Sequence, residues 1–252
     1  MPEAVINGYK HHWEEAGTSK DVLVLIHGAS GAGKQFAPQI EELSQTYRVL
    51  AVDLRGMGGS ARITKLEPSS GWVDDLGGLL DELGIEKVNI FGSSLGARIA
   101  LRFAINHPER VQSLILDNPI VANEASGNAA LNARMSDPDS LPQDQKDRAR
   151  NLHGDDWADV TRNFFQVRND PEMQEYLNLR ELAKGLSTPT LLTRGDNRLD
   201  TVHPLPHVLE LFYLLPNSRM WVKPAGGCFA TEEGYEMVRS HISAAAKVAA
   251  TA

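Results

Sequence analysis

The chain has 252 residues, 42% of them hydrophobic and 23% charged, and a formal net charge of −8 at pH 7. The length suits one large α/β domain with room for an insertion. The acidic balance disfavours nucleic acid and anionic membranes as partners. No apolar run approaches the roughly 18 residues of a membrane span, and no leader pattern opens the chain, so we expect a cytoplasmic protein. One cysteine, Cys228, excludes an internal disulfide and a cysteine-rich metal site.

The first half of the chain alternates between apolar, strand-like runs and segments with helical periodicity. After a hairpin expected at Asn7-Gly8, strands are predicted at residues 22–27, 48–54, 88–91 and 111–117, with helices at 70–83 and 97–104. This alternation predicts an α/β fold with a mostly parallel central sheet and flanking helices. Side chains that follow these strands should meet beyond the carboxyl ends of the sheet.

The strand at residues 88–91 leads into the turn Gly92-Ser93-Ser94-Leu95-Gly96, and a helical pattern follows. Strand, sharp turn and helix around G-x-S-x-G form the nucleophile-elbow pattern, in which a serine lies on a strained turn. The glycines leave room where side chains would collide with the strand and the helix. A Ser/Gly turn also arises by chance, but the flanking elements favour Ser94 as a nucleophile.

A glycine-rich loop follows the strand at residues 22–27. Gly28, Gly33 and Lys34 fit the phosphate-binding pattern G-x-x-x-x-G-K, but Gln35 stands where that motif needs a serine or threonine for Mg²⁺. We therefore expect no nucleotide site. The backbone N–H groups of this loop are expected to face the site instead.

From about residue 120 the chain becomes richer in charged and amide residues and loses its strand-like runs. Helices are predicted at residues 123–135, 143–152, 157–167 and 171–186; strands return at 188–195 and 218–223, with helices at 206–215 and from 231. An all-helical insertion between sheet strands indicates a cap over the site. We expect residues 1–119 and 186–252 to form the core and 120–185 the cap. His153, beside Gly154, is expected to be a solvated loop residue.

Several motifs, taken together and in order, resemble one family. They are His27-Gly28 after the first parallel strand, Asp53-x-Arg55-Gly56-x-Gly58-x-Ser60 after the next, Gly92-Ser93-Ser94-Leu95-Gly96 at the elbow, and Pro189-Thr190-Leu191-Leu192 at the return of the core. The chain resembles the α/β-hydrolase superfamily, in its capped serine-nucleophile subgroup, over nearly its whole length.

The resemblance implies roles for individual residues. Ser94 is the nucleophile, and the backbone N–H groups of Leu95 and Ala29 form the oxyanion hole. His27 is structural and braces its loop. The implied chemistry needs no metal and no cofactor, and the implied partner is a small-molecule substrate.

The acid of the catalytic triad departs from the family pattern. The family has Gly-x-x-Asp after the penultimate strand, and here Arg198 stands at the acid position. A one-residue shortening brings Asp196 into the role, and Asp200 is a second candidate. Asp117, at the end of the strand after the elbow helix, is a third, because some members take their acid from that strand. Each of these could equally be a turn or cap residue; we place Asp196 ahead of Asp117.

The base departs more sharply, because Cys228 occupies the position of the family's histidine, in the pair Gly227-Cys228. A neutral thiol cannot take the serine proton, and a thiolate beside a carboxylate is destabilised. Three interpretations are open. Cys228 is an introduced change in an otherwise competent hydrolase, or the protein is a member that has lost hydrolysis, or another histidine replaces the family's base. The candidates for the last case, His203 and His207, lie at the predicted start of a helix, where a surface or packing role is the simpler interpretation.

These residues predict an esterase- or lactonase-like serine hydrolase of a small ester, lactone or related carbonyl substrate, acting by acyl or C–C bond cleavage. Hydrolysis is expected to be impaired because Cys228 occupies the base position. The alternatives are a non-hydrolytic member, such as a cofactor-free oxygenase, lyase or haloperoxidase-like protein, or a ligand-binding receptor. The sequence does not determine an oligomeric state.

Overall fold

The computed structural model describes residues 2–123, 129, 131–133, 135–197, 200–223 and 231–249. The strands are β1 (Glu3–Ile6), β2 (Tyr9–Ala16), β3 (Val22–Ile26), β4 (Arg48–Val52), β5 (Val88–Ser93), β6 (Val111–Asp117), β7 (Thr190–Gly195) and β8 (Ser218–Lys223). They form one eight-stranded sheet in the order β1-β2-β4-β3-β5-β6-β7-β8. The pairs β1–β2 and β2–β4 are antiparallel and the others parallel, as predicted. The first hairpin turns at Asn7 and Gly8, which both have positive φ.

Helices cover both faces of this sheet. They are α1 (Ala37–Leu43), α2 (Gly71–Glu82), α3 (Leu95–Asn106), α4 (Gln143–His153), α5 (Trp157–Arg168), α6 (Pro171–Tyr176), α7 (Leu205–Leu214) and α8 (Glu232–Ala249), with short 3-10 turns at Gly33–Phe36, Pro108–Arg110 and Pro138–Ser140. None of the described helices is both long and apolar enough to span a bilayer.

Strand β3 illustrates why the central strands are apolar throughout. Its residues are buried on both faces. Val24 and Ile26 join a cluster with residues of α2 and α3, whereas Leu23 and Leu25 join a second cluster with residues of α1 and α8. Since successive side chains in a strand point to opposite faces, a strand between two helical layers needs an apolar residue at every position.

Helices α4, α5 and α6 form an insertion between β6 and β7, and the described residues of that segment include no strand. The insertion follows the sequence expectation, except that α6 ends at Tyr176 instead of extending to residue 186. The first predicted helix, at 123–135, lies partly outside the described residues. The division into a core of residues 1–119 and 186–252 and a cap of residues 120–185 stays a prediction.

The nucleophile elbow lies where β3, β5 and α3 approach most closely. Ser94 precedes α3 with φ 54° and ψ −109°, and its N–H donates to the Asp117 carbonyl at 2.9 Å. A Cβ on Gly92 would lie 2.3 Å from the Gly96 carbonyl oxygen, and one on Gly96 would lie 2.2 Å from the Ile26 carbonyl oxygen. Both positions therefore require glycine.

His153 fastens the end of α4 to the core. Its side chain is buried, its Nδ1 accepts the Gly58 N–H at 3.1 Å, and its Nε2 donates to the Ser30 carbonyl at 3.3 Å. Burial lowers the pKa of His153 from 6.5 to about 4. The expectation of a solvated loop residue is wrong, because the end of α4 docks onto two core loops that supply a donor and an acceptor.

The close approach at Gly96 predicts a strong response to a single methyl group. Gly96→Ala should lower the free energy of unfolding by about 1–3 kcal/mol or more, because the new Cβ meets backbone that cannot move aside. Gly77→Ala is the matched control within α2, where the nearest atom to the new Cβ is 3.6 Å away. There the substitution should be neutral or stabilise by up to about 1 kcal/mol. Urea denaturation checks both, and equal effects would contradict the packing described for the elbow.

The buried imidazole of His153 predicts a loss of stability on acidification. Its folded-state pKa lies below its ordinary value, so the unfolded chain binds the proton first and stability falls as the pH drops from 6.5 towards 4. Between pH 7 and 5 this group should account for about 2 kcal/mol of that loss. His153→Gln should therefore show a shallower decline than the wild type by denaturant titration at each pH. His241, whose pKa burial also lowers to about 4, is present in both proteins and serves as the internal reference. Identical slopes would contradict the prediction.

Candidate active site

The candidate site lies beyond the carboxyl ends of four adjacent strands, β3, β5, β6 and β7. The glycine-rich loop follows β3, Ser94 follows β5, Asp117 ends β6, and the loop of residues 196–204 follows β7. In a parallel sheet these ends share one edge, so residues distant in sequence meet there. The sequence predicted this convergence.

Ser94 lies at the centre of this edge. Its Oγ is 2.9 Å from the Nε2 of His203, which belongs to the loop between β7 and α7. The two residues are 109 positions apart in the chain, and the sheet brings them together. The elbow lifts the serine hydroxyl out of the strand and towards the imidazole.

The other nitrogen of His203 contacts a carboxylate of the same loop. Nδ1 lies 3.0 Å from Asp200 Oδ2, and Asp200 Oδ1 accepts the backbone N–H groups of Val202 at 2.9 Å and His203 at 3.0 Å. A carboxylate accepts hydrogen bonds only, so in the neutral imidazole Nδ1 carries the proton and Nε2 is left to accept from the Ser94 hydroxyl. The two hydrogen bonds thus run in one direction, from Ser94 Oγ to His203 Nε2 and from His203 Nδ1 to Asp200 Oδ2.

The environment keeps Asp200 ionised. Partial burial raises the pKa of this carboxyl. The hydrogen bonds that it accepts from the backbone and side chain of His203 and from the N–H of Val202, together with the electrostatic effect of the His203 ring, bring the pKa below its ordinary value. An ionised acid behind the imidazole is what a Ser-His-Asp arrangement needs, because the carboxylate stabilises the imidazolium that forms during the reaction.

Asp117 is close by but is directed elsewhere. Its carboxylate is buried and accepts from Thr193 Oγ1 at 2.9 Å, Ser93 Oγ at 3.1 Å and Asn118 Nδ2 at 3.1 Å. Burial raises the pKa of Asp117, and the hydrogen bonds partly offset this effect. Its partners link β5, β6 and β7, and the carboxylate that contacts His203 is Asp200.

Two residues of the predicted triad remain, the acid candidate Asp196 and Cys228 at the base position. Asp196, at the start of the loop after β7, is exposed to solvent, and the contact with His203 is made by the second candidate, Asp200. Cys228 and Arg198 lie outside the described residues.

The glycine-rich loop completes the edge of the site. His27 Nδ1 donates to the Gly28 carbonyl at 2.8 Å and its Nε2 accepts the Leu54 N–H at 3.1 Å, the bracing role expected from sequence. Ala29 lies in this loop, and Leu95 is the first residue of α3. Among the described residues, neither of their N–H groups donates a hydrogen bond. Lys34 Nζ donates to Asn151 of α4, at 2.9 Å to each of its two oxygens.

A cavity of about 500 Å³ opens onto Ser94 and His203. Its core side is the glycine-rich loop, and its other side comes from the insertion. Helix α4 and the residues before it contribute one stripe at helical spacing, made of Leu141, Asp144, Gln145, Arg148, Ala149 and Leu152. In the part of the chain that is described, no group of three or more His, Cys, Asp or Glu side chains is placed to hold a metal.

Among the residues of this site, His203 is the one whose contact with Ser94 was least expected from the sequence. The histidine falls just before α7, where a surface role was the simpler expectation. The available signal was the spacing Asp200-x-x-His203 in a loop that follows a parallel strand. Three residues is close enough for an aspartate to bond both the backbone and the ring of the histidine.

Comparison with known proteins identifies the family of this fold. The family described as alpha/beta hydrolase fold matches residues 21–199. The chain is 41% identical over 245 residues to a 2-hydroxymuconate semialdehyde hydrolase of Pseudomonas putida, covering 87% of this chain and 84% of that one. It is 30% identical over 241 residues to a 2-hydroxy-6-oxononadienedioate/2-hydroxy-6-oxononatrienedioate hydrolase of the same species, covering 84% and 82%.

A solved structure resembles the whole fold. The meta-cleavage product hydrolase CumD of Pseudomonas fluorescens IP01 aligns with a TM-score of 0.70 at 25% identity, over 96% of each chain. With the sheet order, the elbow and the family match, these likenesses establish that the chain belongs to the alpha/beta hydrolase family and is an enzyme of the hydrolase class.

Proposed function

We propose that the protein hydrolyses a small carbonyl substrate with Ser94 as nucleophile, His203 as general base and Asp200 as the acid of the triad. One observation carries the proposal: Ser94 Oγ lies 2.9 Å from His203 Nε2 while His203 Nδ1 lies 3.0 Å from Asp200 Oδ2. Both distances are within hydrogen-bond reach, which is the geometric criterion for a nucleophile, its base and the group that orients the base.

In this mechanism the serine hydroxyl attacks the substrate carbonyl and passes its proton to Nε2 of His203. The imidazolium is stabilised by the ionised Asp200, which does not itself take the proton. His203 then gives the proton to the leaving group, an alcohol oxygen in an ester or a carbon in a C–C bond cleavage. Water releases the acyl group from Ser94 by the same steps.

The oxyanion formed by this attack is stabilised by the backbone N–H groups of Leu95 and Ala29. Two observations support this assignment: Leu95 follows Ser94 directly and Ala29 lines the same cavity as Ser94, and neither N–H is used by another described residue. Leu95 also starts α3, so the positive end of the helix dipole faces the developing negative charge. Loss of one such donor typically costs on the order of 100- to 1,000-fold in rate.

We assign residues 120–185 as a cap that selects the substrate. The α4 stripe forms one wall of the cavity, and two of its apolar members, Ala149 and Leu152, lie towards the end of the helix that His153 fastens beside the glycine-rich loop. The next members along the helix, Arg148, Gln145 and Asp144, are polar, and the apolar Leu141 precedes the helix. A substrate with its carbonyl at Ser94 would thus extend along the helix towards polar groups.

Arg148 suits a carboxylate on that substrate. It lines the cavity, and no ion pair among the described residues involves it. The rise of 1.5 Å per residue puts it about 7.5 Å along α4 from His153. The relatives act on 2-hydroxymuconate semialdehyde and on a nonadienedioate, by their names. Both are small carbonyl compounds that carry a carboxylate, and we propose a substrate of this class.

The nucleophile is tested by covalent labelling. A fluorophosphonate should label the wild type at Ser94, and Ser94→Ala should lose the label and at least about 1,000-fold in kcat for an activated ester. Ser93→Ala is the matched control in the same turn, since Ser93 bonds Asp117 and not the imidazole. It should keep the label. Intact-protein mass spectrometry measures the attached label in both variants. Labelling of Ser94→Ala at another residue would refute the proposal.

The substrate class is tested at Arg148. Arg148→Gln should raise KM for 2-hydroxymuconate semialdehyde about tenfold, because a charge-assisted hydrogen bond is lost, and leave KM for p-nitrophenyl acetate unchanged. Arg150→Gln is the control on the same helix: Arg150 pairs with Asp147 at 3.4 Å and does not line the cavity. Equal changes in KM for the charged and the neutral substrate would exclude a role in carboxylate recognition.

A further inference from the structure

A buried arginine lies beneath the loop that carries Asp200 and His203. Arg194 is in β7, one residue before its end, and its side chain is only 3% exposed. By the alternation of strand residues it shares a face of the sheet with Leu192, which packs in the cluster that contains Val208 and Leu211 of α7. Arg194 therefore occupies the space between the sheet, the loop of residues 196–204 and the helix that follows it.

The guanidinium group ties the two ends of this loop together. Its Nε and Nη2 both donate to the carbonyl oxygen of His203, at 2.9 and 2.7 Å. Nη2 also donates to the Asn197 carbonyl at 2.9 Å, and Nη1 donates to the Gly195 carbonyl. A rigid planar fork thus joins the first residues of the loop to the backbone of the residue that supplies the imidazole.

The described side chains of this loop lie towards solvent. Asp196, Asn197 and Thr201 are exposed, and the side chains of Asp200 and His203 are 26% and 21% exposed. The described residues of this loop are therefore all exposed or partly exposed. The internal hydrogen bonds of Asp200 set the turn around His203, but they do not attach that turn to the sheet. Among the described contacts, the hydrogen bonds of Arg194 make this attachment, and Ser94 is held on the sheet by the elbow.

We propose that Arg194 is a positioning residue for the reaction: by clamping the His203 carbonyl to β7, it sets the distance between the imidazole and the Ser94 hydroxyl. This inference rests on the proposed function. A misplacement of about 1 Å in reacting groups can cost on the order of 100-fold in rate. Arg194 touches neither substrate nor reacting atoms, so its effect is on kcat through His203.

The test compares Arg194→Ala and Arg194→Lys with the wild type on p-nitrophenyl acetate. We expect kcat to fall about 100-fold for alanine and about tenfold for lysine, with KM changed less than about twofold. Addition of about 20 mM guanidinium chloride should restore at least about tenfold in the alanine variant, because the free ion can occupy the vacated donor positions, whereas methylammonium should not.

Arg110 supplies a matched control. It also donates from its guanidinium to two backbone carbonyls, those of Ile85 and Glu86, but at the amino-terminal end of β6, away from the site. Arg110→Ala should keep wild-type kcat and show no response to guanidinium. Proton NMR gives a second readout: the low-field Nδ1–H signal that His203→Gln removes should be broadened or lost in Arg194→Ala and intact in Arg110→Ala.

The outcomes separate this inference from the function it rests on. Retention of wild-type rate by Ser94→Ala and His203→Gln would overturn the proposed function itself. Loss of rate in those two variants, with Arg194→Ala within about twofold of wild type, would overturn the role of Arg194 alone. A fall in kcat that guanidinium does not reverse, with the low-field signal intact, would also overturn it. If Arg194→Ala does not fold, the kinetics of Arg194→Lys decide the question. A lower kcat at unchanged KM supports the inference. Lower thermal stability with a wild-type kcat overturns it.

Discussion

The strained backbone of Ser94 is the constraint on which the rest of the site depends. Its positive φ is maintained because β3, β5 and α3 approach more closely around it than any side chain would permit. The same approach places Ser94 at the edge of the sheet and the start of α3 beside the glycine-rich loop. The close packing at Gly92 and Gly96 thereby sets the position of the hydroxyl and of the backbone N–H group of Leu95.

The acid and the base of the proposed triad come from one short loop. In the pattern that the sequence resembles, they come from two loops after different strands, and their alignment depends on the whole sheet. Here Asp200 and His203 are three residues apart, and the aspartate bonds the backbone as well as the ring of its partner. Their mutual geometry is local, whereas their distance from Ser94 depends on how the loop is attached to β7. Among the described residues, the buried Arg194 makes this attachment through its two hydrogen bonds to the His203 carbonyl.

The sequence predicts the elements that are governed by periodicity and by steric need. The parallel strands read as continuous apolar runs because both faces of the sheet are covered, and the elbow is recognisable because only glycine fits beside Ser94. The sequence does not determine the shape of the loop after β7, since no periodicity governs a loop. Asp117 ends β6, and Asp196 and Asp200 follow β7, whose end lies at the same edge, so spacing alone could not identify the one that contacts an imidazole. His153 was misjudged for a related reason, because its donor and acceptor come from loops about 95 and 123 residues away.

Comparison of two single variants tests the central claim most directly. His203→Gln and Cys228→Ala would be assayed side by side for kcat/KM on p-nitrophenyl acetate, with circular dichroism to confirm folding. If His203 is the base, His203→Gln loses at least about 1,000-fold and Cys228→Ala stays within about threefold of the wild type. A wild-type rate in His203→Gln, or a comparable collapse in Cys228→Ala, would contradict the account.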